Sequence, residues 1–203
     1  DALWRDTSNY YRGHWLNGRA TSQPLDLVVR DICERSGVAG IDTRRLSAVV
    51  RGFATDGPGT ARGAIQPLML AYGFEAVERD GVLRFQLRGA GSVAELDPGM
   101  LAQRGEAQGA VETLRAGQVD IMGRVRVSFV EAEGDFALRQ AEAVFPDDAS
   151  QSVSQSDLPL MLTNAEARGI SERWLAEARI GRDGARFALP RSQARLGVGD
   201  VVR

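Results

Sequence analysis

Apolar positions along the chain fall into short blocks of helical or strand period, separated by glycine-rich turns. Leu25, Val28, Val29, Ile32 and Cys33 recur at i, i+3, i+4, i+7 and i+8, which predicts a helix over Pro24 to Arg35. Pro24 suits its first turn and Gly37 its stop. A strand is expected near Ala48 to Phe53, after Ile41 to Leu46, and the turn-rich Asp56-Gly57-Pro58-Gly59 separates it from a second helix. That helix, Thr60 to about Tyr72, places Ala61, Ala64, Ile65, Leu68, Met69 and Tyr72 on one side and ends at Gly73. Pro67 inside it removes an amide and presses on the carbonyl four residues back, so a kink is expected, with Gly63 leaving room to bend. Phe74 to Arg88 reads as a hairpin: Asp80-Gly81 is a strong two-residue turn signal, and Leu83, Phe85 and Leu87 alternate with Arg84, Gln86 and Arg88.

Gly89 to Gly117 is rich in glycine, alanine and glutamine, with little periodicity beyond Val111 and Leu114, and reads as a connection. Beyond it, Val125, Val127 and Phe129 alternate with Arg124, Arg126 and Ser128. A second strand runs Phe136 to Val144 after the acidic turn Glu131-Ala132-Glu133-Gly134-Asp135. Asp147 to Asp157 is expected to be a polar loop, with Leu158 to Leu162 leading into the best-signposted element of the chain. Thr163-Asn164-Ala165-Glu166 is a capping box, and Ala167, Ile170, Trp174, Leu175 and Ala178 follow at helical spacing. The helix is expected to pack on a strand from Ala185 to Leu189, after the turn Arg182-Asp183-Gly184 and before Pro190. Trp174 is expected in the core, so that truncating it to alanine disrupts folding through a cavity costing roughly 3 to 5 kcal/mol.

These elements describe an α+β protein. Its expected organisation is an aromatic-rich entry segment over 1–23, a small α+β module over 24–90, a connection over 91–117, and a mostly antiparallel β-rich module over 118–203 carrying a helix at 163–179. The 203 residues, 43% hydrophobic with 6% aromatic, suffice for one medium or two small domains. A net charge of -2 supplies no basic surplus to release counterions from phosphates, which argues against nucleic acid as a partner. Every basic residue is an arginine, a bias read as genomic base composition. Cys33, the single cysteine, lies on the apolar face of the first helix and reads as a buried structural thiol. No run approaches the ~18 apolar residues of a membrane span. The chain has no initiator methionine and closes inside what reads as a strand, Asp200 to Arg203, so it is expected to be a piece of a longer polypeptide.

The sequence offers little chemistry. It contains no paired cysteine or histidine spacing for a metal, no phosphate-cradling loop and no nucleophile elbow, so no catalytic, cofactor-binding or metal-ligating residue is assigned. Trp4, Tyr10, Tyr11 and Trp15, interleaved with Arg5, Arg12 and Arg19, suggest a platform for stacking on sugars or bases, but without a basic surplus the better reading is that they cover an apolar surface or contact a neighbouring domain. His14 has no partner at ligand spacing. Glu131 to Asp135 lacks the register of a calcium loop and reads as a solvated turn. Asp147-Asp148 reads as a turn rather than half of a carboxylate pair. Gly197-Val198-Gly199 is too short for a dinucleotide fingerprint.

Several segments resemble the putative phage-tail protein family, the large baseplate-hub proteins of siphophage-like tails and gene transfer agents. They are Gly13-His14-Trp15-Leu16-Asn17-Gly18-Arg19 with Pro24-Leu25, the helix Leu27 to Gly37, and Ala71-Tyr72-Gly73-Phe74-Glu75-Ala76-Val77-Glu78 with Asp80-Gly81 and Leu83-Arg84-Phe85. Further on come Arg124 to Phe129, Asp157-Leu158-Pro159, Ala165-Glu166-Ala167-Arg168 through Glu172-Arg173-Trp174-Leu175, and Phe187-Ala188-Leu189-Pro190 to Gly199-Asp200-Val201-Val202. The resemblance implies a non-enzymatic hub subunit at the tail tip, assembled in the bacterial cytoplasm. It also implies a ring of identical copies, a trimer, joined to tail-tube or distal tail proteins and other baseplate proteins, and it carries no catalytic residue. Two other classes compete: a carbohydrate-handling module using Trp4, Tyr11 and Trp15 with Asp147 or Asp157, and a ring component of a cell-envelope secretion machine.

Overall fold

A computed structural model describes residues 22–55, 59–89, 91, 93–102, 111–117, 122–146 and 152–203. Its first helix, α1 (Leu25–Arg35), follows the short strand β1 (Gln23–Pro24) and buries Leu25, Val29 and Cys33, one stripe of the predicted face. Gly37 reverses the chain beyond it at φ 73°. The second helix, α2 (Ala61–Tyr72), is fixed at both ends by local chemistry. The Thr60 hydroxyl accepts the Gly63 amide at 3.2 Å, and Gly73, in the left-handed region, donates to the Met69 carbonyl at 2.9 Å. The helix runs through Pro67 as one element.

Between these helices lie β2 (Ile41–Arg45) and the two-residue β3 (Val49–Val50), which pairs with β1. The longer strand therefore falls on Ile41 to Arg45 rather than on Ala48 to Phe53. The hairpin is as predicted: β4 (Phe74–Arg79) and β5 (Val82–Leu87) pair from Arg79↔Val82 outward, and Asp80 and Gly81 both take positive φ, 56° and 74°. That pair of angles is a primed turn matched to strand twist. β2 adds to β5 in parallel, giving a sheet of order β2-β5-β4. Phe74 and Phe85 meet edge to face across this sheet, ring centroids 6.1 Å apart.

The second sheet differs from expectation in one strand. β7 (Arg124–Glu131) and β8 (Leu138–Val144) form the predicted hairpin, but residues 153–162, expected to be a loop and a lead-in, form β9 (Val153–Leu162), parallel to β7. Pro159 is accommodated because the ladder shifts register between Ser128↔Asp157 and Val130↔Met161, where no amide is needed from it. The other edge of β9 meets the first half of the chain: Met161 N–H donates to Gly52 O at 2.9 Å and Ala54 N–H to Pro159 O at 3.0 Å, around the bridge Phe53↔Leu160.

The helix α3 (Asn164–Ile180) carries the complete predicted capping box: Thr163 Oγ1 accepts from Glu166 N–H at 3.1 Å, and the Glu166 carboxylate accepts from Thr163 N–H at 2.8 Å. It buries Ala167, Ile170, Ser171 and Leu175 against β7, β8 and α2, while Trp174 is only half-buried. Its expected strand partner lies elsewhere. β10 (Asp183–Phe187) pairs antiparallel with β6 (Val111–Arg115), a strand within the expected connection. Among the described residues the protein thus has three helices and ten strands, an α+β fold, and the buried apolar residues of both halves form one cluster.

Candidate functional site

The polar side chains of this fold mostly hold surfaces together. Arg173 of α3 reaches the end of α2 and donates to the Leu70 and Ala71 carbonyls at 2.8 and 2.6 Å. A cation at a helix C-terminus satisfies carbonyls that have no partner within the helix. Glu166 also receives Arg51, at 3.2 Å, and Arg88 spans Glu75 and Glu177, at 2.6 Å from each. Burial raises the Glu166 carboxyl, but the Thr163 hydrogen bonds and Arg51 outweigh it and hold the group below its ordinary value. Burial, with the Glu166 charge adding to it, pushes the Tyr72 phenol up to about 12; its hydroxyl donates to Val49 O at 3.2 Å.

Residues 193–203 form a strap laid on the first half. Arg79 donates to the Asp200 carboxylate at 3.1 Å and to the Arg195 carbonyl, while Gln86 Nε2 donates to Gly199 O at 3.0 Å. Val93 N–H bonds Val201 O at 2.8 Å, and Leu96 N–H bonds Arg203 O at 2.7 Å. The Gly197 amide first, and Arg79 with it, hold the Asp200 carboxyl below its usual range. Gly197-Val198-Gly199 is therefore the turn that seats this strap. Gly199 sits at φ 83°, and a Cβ there would stand 3.1 Å from Val77 Cγ2 and collide with the Gln86 amide.

Two surface features stand out among the described residues. The first is an open groove of about 300 Å³ lined by Arg30, Ile41, Asp42, Thr43, Arg44, Val82 and Arg84. The second is the β6–β10 ribbon, on which Val111 and Leu114 are exposed.

Among the residues singled out in the sequence, Cys33 is buried, and that burial pushes its thiol up and makes it a poor nucleophile. Glu131 is engaged by Arg139 at 2.9 Å and by Asn164 at 2.7 Å, which leaves the acidic turn a braced hairpin end. Asp157 is exposed on β9, opposite Ser128. Trp4, Tyr10, Tyr11, His14, Trp15, Asp147 and Asp148 lie outside the described residues. Among the described residues no three of His, Cys, Asp and Glu are grouped as metal ligands, and no helix is long and apolar enough to cross a membrane. The arginines that join the elements and line the groove carried no sequence signal beyond the absence of lysine.

Residues 60–203 match the family model described as "Putative phage tail protein". The chain belongs to that family. The tail protein also matches a solved chain from a structure titled "Virion of native gene transfer agent (GTA) particle", at 54% sequence identity and a TM-score of 0.84 over 98% of its own length. It spans 45% of that virion chain. No curated protein matches the tail protein.

Proposed function

We propose that this tail protein is a structural, non-enzymatic part of the baseplate hub at the tip of a phage-like tail, in a particle related to gene transfer agents. The observation that carries the reading is the 54% identity to a gene transfer agent virion chain across 98% of the protein. In this reading the protein joins the tail tube or distal tail ring to receptor- or wall-directed parts and assembles with copies of itself around the tail axis, as a trimer by family resemblance. Its two halves act as an α+β module and a β-rich module, and the surface left by folding is used for neighbours. The exposed β6–β10 ribbon, with Val111 and Leu114 open to solvent, supports this, since a two-stranded ribbon is marginal in water without further cover.

Immunogold electron microscopy tests it, with antibodies raised against this chain and tail-bearing particles purified from the producing culture. Label at the tail tip is expected. Label along the tail tube or at the head would sink the hub assignment, and absence of label from both intact and dismantled particles would sink the tail role itself.

A further inference from the structure

We propose that the groove along β2 is a docking site for an acidic segment of a neighbouring protein chain, whose carboxylates are taken up by Arg30 and Arg84. The proposal rests on the structural reading above only for the partner being a protein.

β2 is the outermost strand of its sheet among the described residues, but its edge backbone is used locally. Asp42 accepts the Arg44 amide at 3.2 Å, and the Leu46 amide closes on Thr43 O at 2.9 Å. An incoming chain therefore meets side chains before it meets a free ladder, which directs recognition to charge rather than to strand addition. Asp42 and Arg84 are register partners and share the outer face of the sheet, whereas Thr43 is buried on the inner face and holds Arg30 of α1 through a 3.2 Å bond to its hydroxyl. Arg30 of α1, Arg44 of β2 and Arg84 of β5 nevertheless all line the groove that opens at the β2 edge.

Their existing partners leave binding capacity. Arg44 closes its fork on Asp42, through Nε at 2.9 Å and Nη2 at 2.8 Å, and this internal pair displays the bidentate carboxylate geometry the groove selects. Arg84 reaches the exposed Asp80 carboxylate at 3.5 Å and also lies near enough to Asp42 to help hold its carboxyl well below the usual range, after Arg44. Each guanidinium offers five N–H donors, so Arg84 and Arg30 keep donors for an incoming carboxylate. Ile41 and Val82 provide an apolar flank for the intervening side chain. A long polyanion fits less well, because α1 carries Asp26, Asp31 and Glu34 beside Arg30 and the whole chain is at -2. A short acidic protein segment is the occupant that the charges favour.

The test is a fluorescence-anisotropy titration of the whole chain at low salt with three labelled probes. One is a short peptide alternating glutamate and valine, the second its glutamine counterpart, and the third a single-stranded oligonucleotide of equal charge. The glutamate peptide should bind about tenfold or more tighter than the glutamine peptide. Added salt should weaken that binding, and so should Arg84→Gln and Arg30→Gln, each severalfold. Backbone amide shifts in the NMR spectrum should map to Ile41–Arg45 and Val82–Leu87, and Arg115→Gln, on the distant ribbon, should leave binding unchanged. Equal binding of the two peptides, no binding of either, retention in the Arg30/Arg84 double variant, or preference for the oligonucleotide would each overturn the proposal.

Discussion

Single residues in this protein matter most where backbone geometry and a distant side chain meet. Gly73 ends α2 at φ 65°, and a Cβ there would lie 3.3 Å from the Arg173 guanidinium. Gly81 has a similar φ of 74° but open space around it. Gly81→Ala is expected to cost only the left-handed backbone penalty, about 1 to 2 kcal/mol. Gly73→Ala should cost measurably more, because Arg173 must also shift from the α2 carbonyls. Urea unfolding of the two variants separates the contributions, and equal losses would mean that the Arg173 contact adds nothing. Asp200 offers a second residue-level test. Its folded value lies below its unfolded one, so its contribution is complete at neutral pH and is lost as pH falls below about 5 and through the folded value. Asp200→Asn should lower the urea midpoint at pH 7 and flatten its acid decline. An unchanged acid decline would remove Asp200 from the account.

The elements show what local chemistry can encode. α3 begins where Thr163 and Glu166 cap each other, so Thr163→Ala should cost about 0.5 to 2 kcal/mol. Arg173→Met keeps the apolar stem but leaves the Leu70 and Ala71 carbonyls without their charged donor, at an expected cost of about 1.5 to 3 kcal/mol. Thermal unfolding reads both, and a null result for Arg173→Met would show water serving those carbonyls equally well. Trp174 is half-buried, so Trp174→Ala should fall short of the 3 to 5 kcal/mol of a fully buried aromatic, whereas Leu175→Ala should cost about 2 to 5. Helices with caps and the Asp80-Gly81 hairpin were legible because their determinants sit within a few residues of one another. β9 was not legible: its serines alternate with Gln155 and Asp157, so neither face of Val153 to Asp157 is apolar, and Pro159 argues against a ladder unless a register shift absorbs it. β6 was hidden for a related reason, since all its side chains are exposed and its partner lies near residue 185. The groove was invisible because Arg30, Arg44 and Arg84 converge only after β2 pairs with β5 in parallel.

At the scale of the whole molecule, stability is expected to be uneven. β7 lies at the centre of its sheet with Val125, Val127 and Phe129 buried, whereas the β6–β10 ribbon is exposed on nearly every residue. In hydrogen-exchange mass spectrometry of the isolated chain, amides of Val111–Arg115 and Asp183–Phe187 should exchange well before those of Val125–Phe129. Assembly into particles should slow the ribbon selectively. Protection of the ribbon equal to that of β7 in the free chain would show that it needs no further cover, and would weaken its assignment as an assembly surface.

The bridge between Phe53 and Leu160 carries a consequence for the order in which the molecule is made. A ribosome releases the segment around Gly52 more than a hundred residues before the Pro159–Met161 segment that bonds to it. Until that later segment emerges, the apolar flank of the early half stays open to chaperones or to other nascent chains, and closing so distant a contact is slow relative to forming the Asp80-Gly81 hairpin. Closing this contact is therefore a late event in synthesis that seals a part of the chain made much earlier.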